Sequence, residues 1–130
     1  MNTELNDIQS LIRSLAEIQH TISEISDLSF ASYDSRGIQL LPPRREDGLT
    51  TTIRSHPTGR EEYDKYISQG VKRAVLRKEA SILRGPASQH NIFIPVDVSE
   101  SRFVLVSSPF YVTKQDFDDF LKRRGRIPDL

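Results

Sequence analysis

The stretch FVLV at residues 103–106 is apolar at every position and decides the predicted fold. Because successive side chains of a strand point to opposite faces of a sheet, this run predicts a central strand that is covered on both sides. The stretch NIFIPVDV at residues 91–98 predicts the neighbouring strand, with Pro95 at an edge or a bulge because proline cannot donate to a ladder. A shorter strand is predicted at residues 80–83. Together these segments predict an α/β (α+β) fold around a central, mostly antiparallel sheet.

A hairpin is predicted earlier in the chain, over residues 27–41. The alternating segment at residues 27–33 is followed by Asp34, which favours the opening of a turn, and by Gly37, which can take the left-handed conformation that closes it. A loop over residues 42–48 follows, because its two prolines withdraw backbone donors and a glycine ends the segment.

Helices are predicted on either side of the later strands. The sequence TGRE at residues 58–61 matches a capping box and predicts that a helix begins at Thr58. Gly70 lies inside this helix and predicts a kink or a break, because glycine costs about 1 kcal/mol relative to alanine in a helix. Thr113 is predicted to cap a last helix that ends at Gly125. The predicted apolar face of the Thr58 helix consists of Tyr63, Ile67, Val71 and Ala74.

The N-terminal segment at residues 4–26 carries large aliphatic side chains at alternating spacings of three and four, which predicts an amphipathic helix. Two interpretations are open: the helix covers its own sheet, or the stripe is a seam between two chains. The second interpretation predicts a homodimer whose seam includes at least Leu15 and Ile22. The complete stripe consists of Ile8, Leu11, Leu15, Ile18, Ile22 and Ile25.

Composition excludes several classes of function. A chain of 130 residues is expected to form one domain. Its 18 basic and 18 acidic residues balance, which argues against nucleic acid or a membrane surface as a direct partner. Without cysteine there are no disulfides, no thiol catalysis and no thiolate metal sites. The sequence has no apolar run of membrane-span length and does not begin like a secretory signal, so a cytoplasmic location is expected.

The segment IRSHPTGREEY at residues 53–63 resembles the segment IRSxPxGRxxC of the PocR-type sensory domain. The hairpin at residues 33–38 is similar to that family's opening hairpin, and the order of elements resembles that of PAS-like and GAF-like sensory domains. The resemblance covers residues 5–124. It implies an input domain of a bacterial transcription or signalling regulator, with a pocket for a small organic ligand between the sheet and the helix after Gly59.

This resemblance also implies how the chain is organised. The expected arrangement is a signalling or dimerisation helix at residues 1–26, a PAS/GAF-like sensory domain at residues 27–125, and a linker or tail at residues 126–130. The sensory domain is expected to pass a conformational signal to an output domain or a partner signalling protein.

The chain departs from the family pattern at two places. Tyr63 stands where the family has cysteine, and the family's later CHxG segment is replaced by GPASQH at residues 85–90. A cysteine-dependent metal or redox role is therefore absent, and the family's type ligand, propanediol, does not carry over. No cofactor is predicted, and no metal is predicted because His20, His56 and His90 lie on separate predicted elements.

The candidate ligand site combines aromatic walls with a few polar groups, the usual composition of a small-molecule pocket. Arg54 and Arg60 are candidates to hold a carboxylate, although Arg60 also fits a solvated turn and the aromatic residues also fit a filled core. No motif for phosphate binding, nucleophilic catalysis or zinc hydrolysis is found, so a non-catalytic domain is expected. The alternative is a homodimerisation or interaction module with a filled core and no ligand. The predicted ligand-binding residues are Tyr33, Arg54, His56, Arg60, Tyr63, Ile67, His90 and Phe93.

Overall fold

A computed structural model describes residues 2–111 of the chain, with side chains described from Asp7 onward. The predicted last helix and the predicted tail at residues 126–130 lie outside this range. The described part is an α+β fold with three helices and one antiparallel sheet of five strands in the order β2-β1-β5-β4-β3. The elements are α1 (Asn2–Ser26), β1 (Phe30–Asp34), β2 (Gln39–Leu41), α2 (Gly48–Arg54), α3 (Pro57–Arg77), β3 (Ser81–Arg84), β4 (His90–Val98) and β5 (Ser101–Ser107).

Strand β5 occupies the centre of the sheet, as the apolar run at residues 103–106 predicts. It pairs with β1 on one side and with β4 on the other. Val104 and Val106 pack in the cluster that faces α3, whereas Phe103 and Leu105 pack in the cluster that faces α1. Each face of this strand is therefore covered by a helix, which explains why the sequence there does not alternate.

Pro95 lies in β4, which is an interior strand of the sheet. Strand β3 pairs with β4 only from His90 to Phe93, so it ends before Pro95. At Pro95 the paired neighbour is β5, through Val104. The prediction that Pro95 places this strand at an edge or a bulge is therefore wrong, and the interior strand tolerates Pro95 because β3 ends before it.

The hairpin between β1 and β2 confirms the predicted turn. Gly37 adopts a φ of 90°, in the left-handed region that glycine tolerates. One carboxylate oxygen of Asp34, Oδ1, accepts hydrogen bonds from the backbone N–H groups of Arg36 and Ile38, each at 2.9 Å. Burial opposes the ionised form of this carboxyl, but these amide bonds and the Arg36 guanidinium lower the pKa of Asp34.

Helix α1 packs on its own sheet. The Leu15 side chain is 0% exposed and lies in the cluster formed with Phe30, Phe103 and Leu105. Leu11, Ile18 and Ile22 are partly buried against the same cluster, whereas Ile8 is 57% exposed and Ile25 is 81% exposed. The prediction that Leu15 belongs to a seam between chains is therefore wrong, because its own sheet already fills the space around it. The dimer itself stays a prediction.

Helix α3 begins earlier than the sequence predicts. Its N-cap is His56, which makes no side-chain capping bond, and Pro57 is its first residue. Proline suits this position because its missing N–H would be unsatisfied there in any residue. The capping box at Thr58 is therefore a wrong prediction, since Thr58 already lies inside the helix.

Helix α2 has no counterpart among the predicted elements. Asp47 caps it by accepting a hydrogen bond from Thr50 N at 2.6 Å.

Gly70 does not interrupt α3, which is continuous from Pro57 to Arg77. The predicted kink or break is therefore wrong. A β-carbon at Gly70 would collide with the ring of Phe93 on β4, so the glycine allows the helix to approach the sheet closely. Burial of the large Phe93 ring offsets the poor helix propensity of glycine.

Candidate functional site

A cavity of about 310 Å³ opens between the sheet, the loop after β2 and the first turns of α3. Tyr33 of β1 and Tyr63 of α3 contribute aromatic hydroxyls to it, and Arg54 at the end of α2 contributes a positive charge. Its apolar lining consists of Ala31, Pro42, Pro43, Val106 and Pro109, and its remaining polar lining of Gln39, Glu46, Asp47, Thr50, Ser107 and Ser108. Nine of the fourteen described lining residues are polar or charged, so the cavity is more polar than most small-ligand sites, and its volume is at the low end of their range.

Local periodicity explains why the two tyrosines face the same space. Ala31 and Tyr33 are two residues apart on β1 and both pack in the cluster facing α3, whereas Phe30 packs in the cluster facing α1. Tyr63 and Ile67 are four residues apart on α3 and both face the sheet. The strand period and the helix period therefore direct Tyr33 and Tyr63 into the layer between α3 and the sheet.

Arg54 is held at the cavity by the ring of Tyr63. Its Cζ atom lies 4.9 Å from the centroid of that ring, a cation–π contact. The closest carboxylate contact is between Arg54 Nη2 and Asp64 Oδ1 at 3.7 Å, and the Asp64 side chain is 58% exposed. Within the described side chains, the buried Nε of Arg54 has no hydrogen-bond partner. The guanidinium is thus positioned by stacking and only weakly neutralised.

Both cavity tyrosines are protonated at neutral pH. Burial raises the pKa of Tyr63 to about 12, although a hydrogen bond to Thr50 acts in the opposite direction. Burial also raises the pKa of Tyr33, and the nearby Arg54 opposes part of that rise. The Tyr33 hydroxyl donates to Gln39 Oε1 at 3.4 Å, a long and therefore weak bond. The site consequently offers two neutral hydroxyl donors beside one cation.

The two acidic residues of the cavity, Asp47 and Glu46, differ in whether their carboxylates accept hydrogen bonds from the protein. Asp47 caps α2, with Oδ1 accepting from Thr50 N at 2.6 Å and Oδ2 accepting from Thr50 Oγ1 at 2.8 Å. Glu46 is exposed at the rim. The charge of Asp47 is therefore partly satisfied by the helix start, and Glu46 is screened by solvent.

Three of the eight predicted site residues meet at the cavity: Tyr33, Arg54 and Tyr63. Ile67 and Phe93 lie instead in the core between α3 and the sheet, where Phe93 packs edge-on against Tyr66 with ring centroids 5.9 Å apart. The interpretation of these two as core filling is the one that the packing favours.

The other predicted residues lie away from the cavity lining. His56 caps α3, and the exposed Arg60 donates its backbone N–H to the His56 carbonyl at 2.8 Å. His90 begins β4 and forms a two-way backbone bridge with Phe110, at 2.7 and 2.9 Å. These positions give His56, Arg60 and His90 structural roles at the ends of elements.

The residues that complete the cavity are not among those predicted from the sequence. Asp47 could have been found, because aspartate is a preferred N-cap residue and it precedes Leu49 and Ile53, which are four residues apart as on one face of a helix. Ser107 and Ser108 carry no comparable signal, because they lie at the cavity only through the pairing of β5 with β1.

A chain of hydrogen bonds connects the cavity wall to the end of α1. Ser108 N donates to Ser29 O at 2.6 Å, and Ser29 N donates to Ser108 Oγ at 3.3 Å. Arg45 N, in the loop that borders the cavity, donates to Ser29 Oγ at 3.2 Å. Ser29 lies between α1 and β1, so both the sheet wall and the loop wall of the cavity contact the connection to α1.

Comparisons with protein-family models, with curated proteins and with solved structures find no match to this chain. Among the described residues, no helix has the length and apolar character needed to cross a membrane. The same part of the chain contains no group of three or more His, Asp or Glu side chains arranged to hold a metal ion.

Proposed function

We propose that this chain is a non-catalytic sensory domain of a bacterial transcription or signalling regulator, and that it binds a small organic ligand in the cavity beside Tyr63. The observation that carries the proposal is the convergence of Tyr33, Arg54 and Tyr63, from three separate elements, around about 310 Å³ of space. Two aromatic hydroxyls and a guanidinium that face one cleft are the kind of polar groups that orient a small ligand.

The resemblance to the PocR-type domain supports this proposal at the residues that carry it. The segment at residues 53–63 runs from the end of α2 into α3 and supplies both Arg54 and Tyr63 to the cavity. The order of a leading helix, a hairpin, a helix over the sheet and three strands also agrees with the order on which the PAS/GAF-like expectation rests.

The chemistry of the cavity favours binding over catalysis. Tyr63, with a pKa of about 12, stays protonated near neutral pH and is a donor rather than a base or a nucleophile. A guanidinium carries N–H donors and no acceptor, so Arg54 also acts only as a donor. These groups recognise acceptors on a ligand without exchanging protons with it.

The proposed signal leaves the cavity through Ser108 and Ser29. A ligand that contacts Ser108 would change the paired hydrogen bonds between these two residues, which are 2.6 and 3.3 Å long. Because only two residues separate Ser29 from the end of α1 at Ser26, the change would act on the end of this helix and on any output domain or partner protein that contacts it.

A second candidate function is homodimerisation, and the exposed aliphatic residues of α1 favour it. Ile25 is 81% exposed and Ile8 is 57% exposed, although both belong to the stripe that Leu15 anchors to the sheet. Leu11, Ile18 and Ile22 on the same stripe are only partly buried, so α1 leaves apolar surface that a second chain would cover. In this candidate, the cavity plays no part.

A thermal-shift screen separates the two functions. The compounds are butanol, benzyl alcohol, butyrate and benzoate, and a ligand that binds only the folded state raises Tm. Ala31→Leu adds volume to the cavity lining and is expected to abolish the shift. Ala16→Leu makes the same change at an exposed position of α1 and is expected to preserve it.

Two-dimensional NMR gives a second readout of the same experiment. Signals of Tyr33 and Tyr63 are expected to move when a compound binds, and those of the distant β4–β5 turn are expected to stay unchanged. If none of the four compounds moves Tm or the signals of the cavity residues, the ligand-binding proposal is contradicted and the interaction module is favoured.

A further inference from the structure

We infer that the cavity selects small carboxylates with a single negative charge and a short apolar body, and that Arg54 is the residue that binds the carboxylate. This inference rests on the proposed ligand-binding function and names the chemical class of its ligand. It follows from three features of the lining: an under-neutralised guanidinium, neutral donors beside it and acidic residues at the rim.

The guanidinium of Arg54 is available to a ligand. The contact from its Nη2 to Asp64 Oδ1 is 3.7 Å, longer than an ordinary N–H···O hydrogen bond, and the partner carboxylate is mostly in solvent. The cation–π contact with Tyr63 uses none of its N–H groups, and the one hydrogen bond to the neutral Tyr33 hydroxyl is weaker than a bond to a carboxylate would be. A planar carboxylate can accept two parallel N–H bonds from such a group, which is the strongest pairing open to it.

The tyrosine hydroxyls beside Arg54 are also hydrogen-bond donors, so they favour a ligand with acceptor atoms. Tyr33 and Tyr63 present hydroxyls that are protonated at neutral pH, and the bond from Tyr33 to Gln39 is long enough at 3.4 Å to be exchanged for a better one. A carboxylate has only acceptor sites, so it can satisfy the guanidinium and a hydroxyl together. A ligand amine would instead meet the positive charge of Arg54.

The acidic residues limit the charge of the ligand. Glu46 and Asp47 line the same cavity, and although solvent screens Glu46 and the start of α2 partly satisfies Asp47, both oppose a second negative charge on an anion such as phosphate. A singly charged carboxylate can place its charge at Arg54 and its hydrocarbon part against Ala31 and Val106. The cavity is small, so the apolar part must be short.

Matched pairs of probes test this inference by titration calorimetry on the whole chain. Butyrate and benzoate are compared with butyramide and benzamide, which have the same shape without the charge, and with inorganic phosphate. The expected result is at least tenfold tighter binding of each acid than of its amide. Arg54→Gln is expected to remove this preference, and Arg54→Lys is expected to retain part of it.

Two further variants sharpen the test. Asp64→Asn removes the competing carboxylate and is expected to tighten binding of butyrate and benzoate. Arg60→Gln makes the same change of charge as Arg54→Gln at an exposed position outside the cavity lining, and its affinities are expected to match those of the wild type. If Arg54→Gln fails to fold, two other variants still test the role of Arg54. Arg54→Lys is expected to bind butyrate and benzoate more weakly than the wild type, and Asp64→Asn is expected to bind them more tightly.

The outcomes separate this inference from the function on which it rests. Tight binding of amides or phosphate without a preference for the acids overturns the carboxylate inference and leaves a ligand-binding domain. Equal binding of acids to the wild type and to Arg54→Gln overturns it as well, because the acids then bind elsewhere. Failure of every probe, together with failure of the alcohols in the thermal-shift screen, overturns both.

Discussion

Gly70 of α3 lies directly against the ring of Phe93 of β4, so closely that a β-carbon at position 70 would overlap the ring. This contact brings the backbone of α3 down onto the sheet at the centre of the α3-facing cluster. The same helix carries Tyr63 at its N-terminal end, so the contact also sets how far Tyr63 stands from β1 across the cavity.

The first prediction is that Gly70→Ala destabilises the protein, although alanine is the better helix former. Helix propensity alone would stabilise the fold by about 1 kcal/mol, whereas overpacking typically costs about 1–3 kcal/mol. Urea unfolding is expected to show a lower free energy of unfolding, and Gln69→Ala, at an exposed position of the same helix, is expected to change it little. A Gly70→Ala variant more stable than the wild type would show that the ring moves aside freely.

The second prediction concerns the two kinds of aliphatic residue on α1. Leu15→Ala removes a side chain that is 0% exposed and is expected to lower the free energy of unfolding by about 2–5 kcal/mol. Ile25→Ala, at an 81% exposed position, is expected to change it by no more than about 0.5 kcal/mol. Denaturant titration of both variants measures the difference. Equal losses would mean that α1 is not anchored to the sheet through Leu15.

The third prediction concerns association. If the exposed residues of α1 form a homodimer, Ile25→Glu is expected to shift the chain from dimer to monomer, and to lower its melting temperature only at protein concentrations where the wild type is a dimer, because the substituted residue is in solvent in the single chain. Analytical ultracentrifugation at high micromolar concentration measures the mass, and Glu17→Gln on an exposed position of α1 is a control for the change of charge. A wild-type chain that sediments as a monomer at this concentration contradicts the dimer.

The fourth prediction is a pH dependence that comes from the β1–β2 turn. Despite the opposing effect of burial, hydrogen bonds from Ile38 N and Arg36 N lower the pKa of Asp34 below its ordinary value of 3.8. A lowered pKa in the folded state means that the unfolded chain binds protons first as pH falls. The stabilisation from this carboxylate is therefore fully present above pH 4 to 5 and is lost as pH falls through the folded pKa, in a range that lies below about pH 4.

Asp34→Asn tests this dependence. The variant is expected to be less stable than the wild type by about 1 kcal/mol at pH 7, because it loses a charged acceptor of two amide bonds. The difference is expected to shrink in urea titrations at pH 3, where the wild-type carboxyl begins to be protonated. Glu62→Gln removes a charge from an exposed position and serves as the control. A difference that stays constant between pH 7 and pH 3 contradicts the assignment to Asp34.

The chain's own patterns determined most of the elements. The apolar run at residues 103–106 correctly predicts the central strand, because a strand buried on both faces cannot alternate. Asp34 and Gly37 correctly predict the first turn, because each meets a local requirement, an acceptor for amides and a left-handed backbone. The helical period of α1 is equally local. Such features depend on residues only a few positions apart, so they can be read before the fold is known.

Only the tertiary structure decided which surface each of these residues packs against. The stripe on α1 fits its own sheet or a second chain equally well, and it was the fit of Leu15 among Phe30, Phe103 and Leu105 that selected the sheet. Gly70 violates helix propensity because of Phe93, which lies 23 positions further along the chain. The cavity has the same origin: Tyr33, Arg54 and Tyr63 meet because β1, α2 and α3 converge. Their meeting follows from the packing free energy of the whole domain, which no local pattern contains.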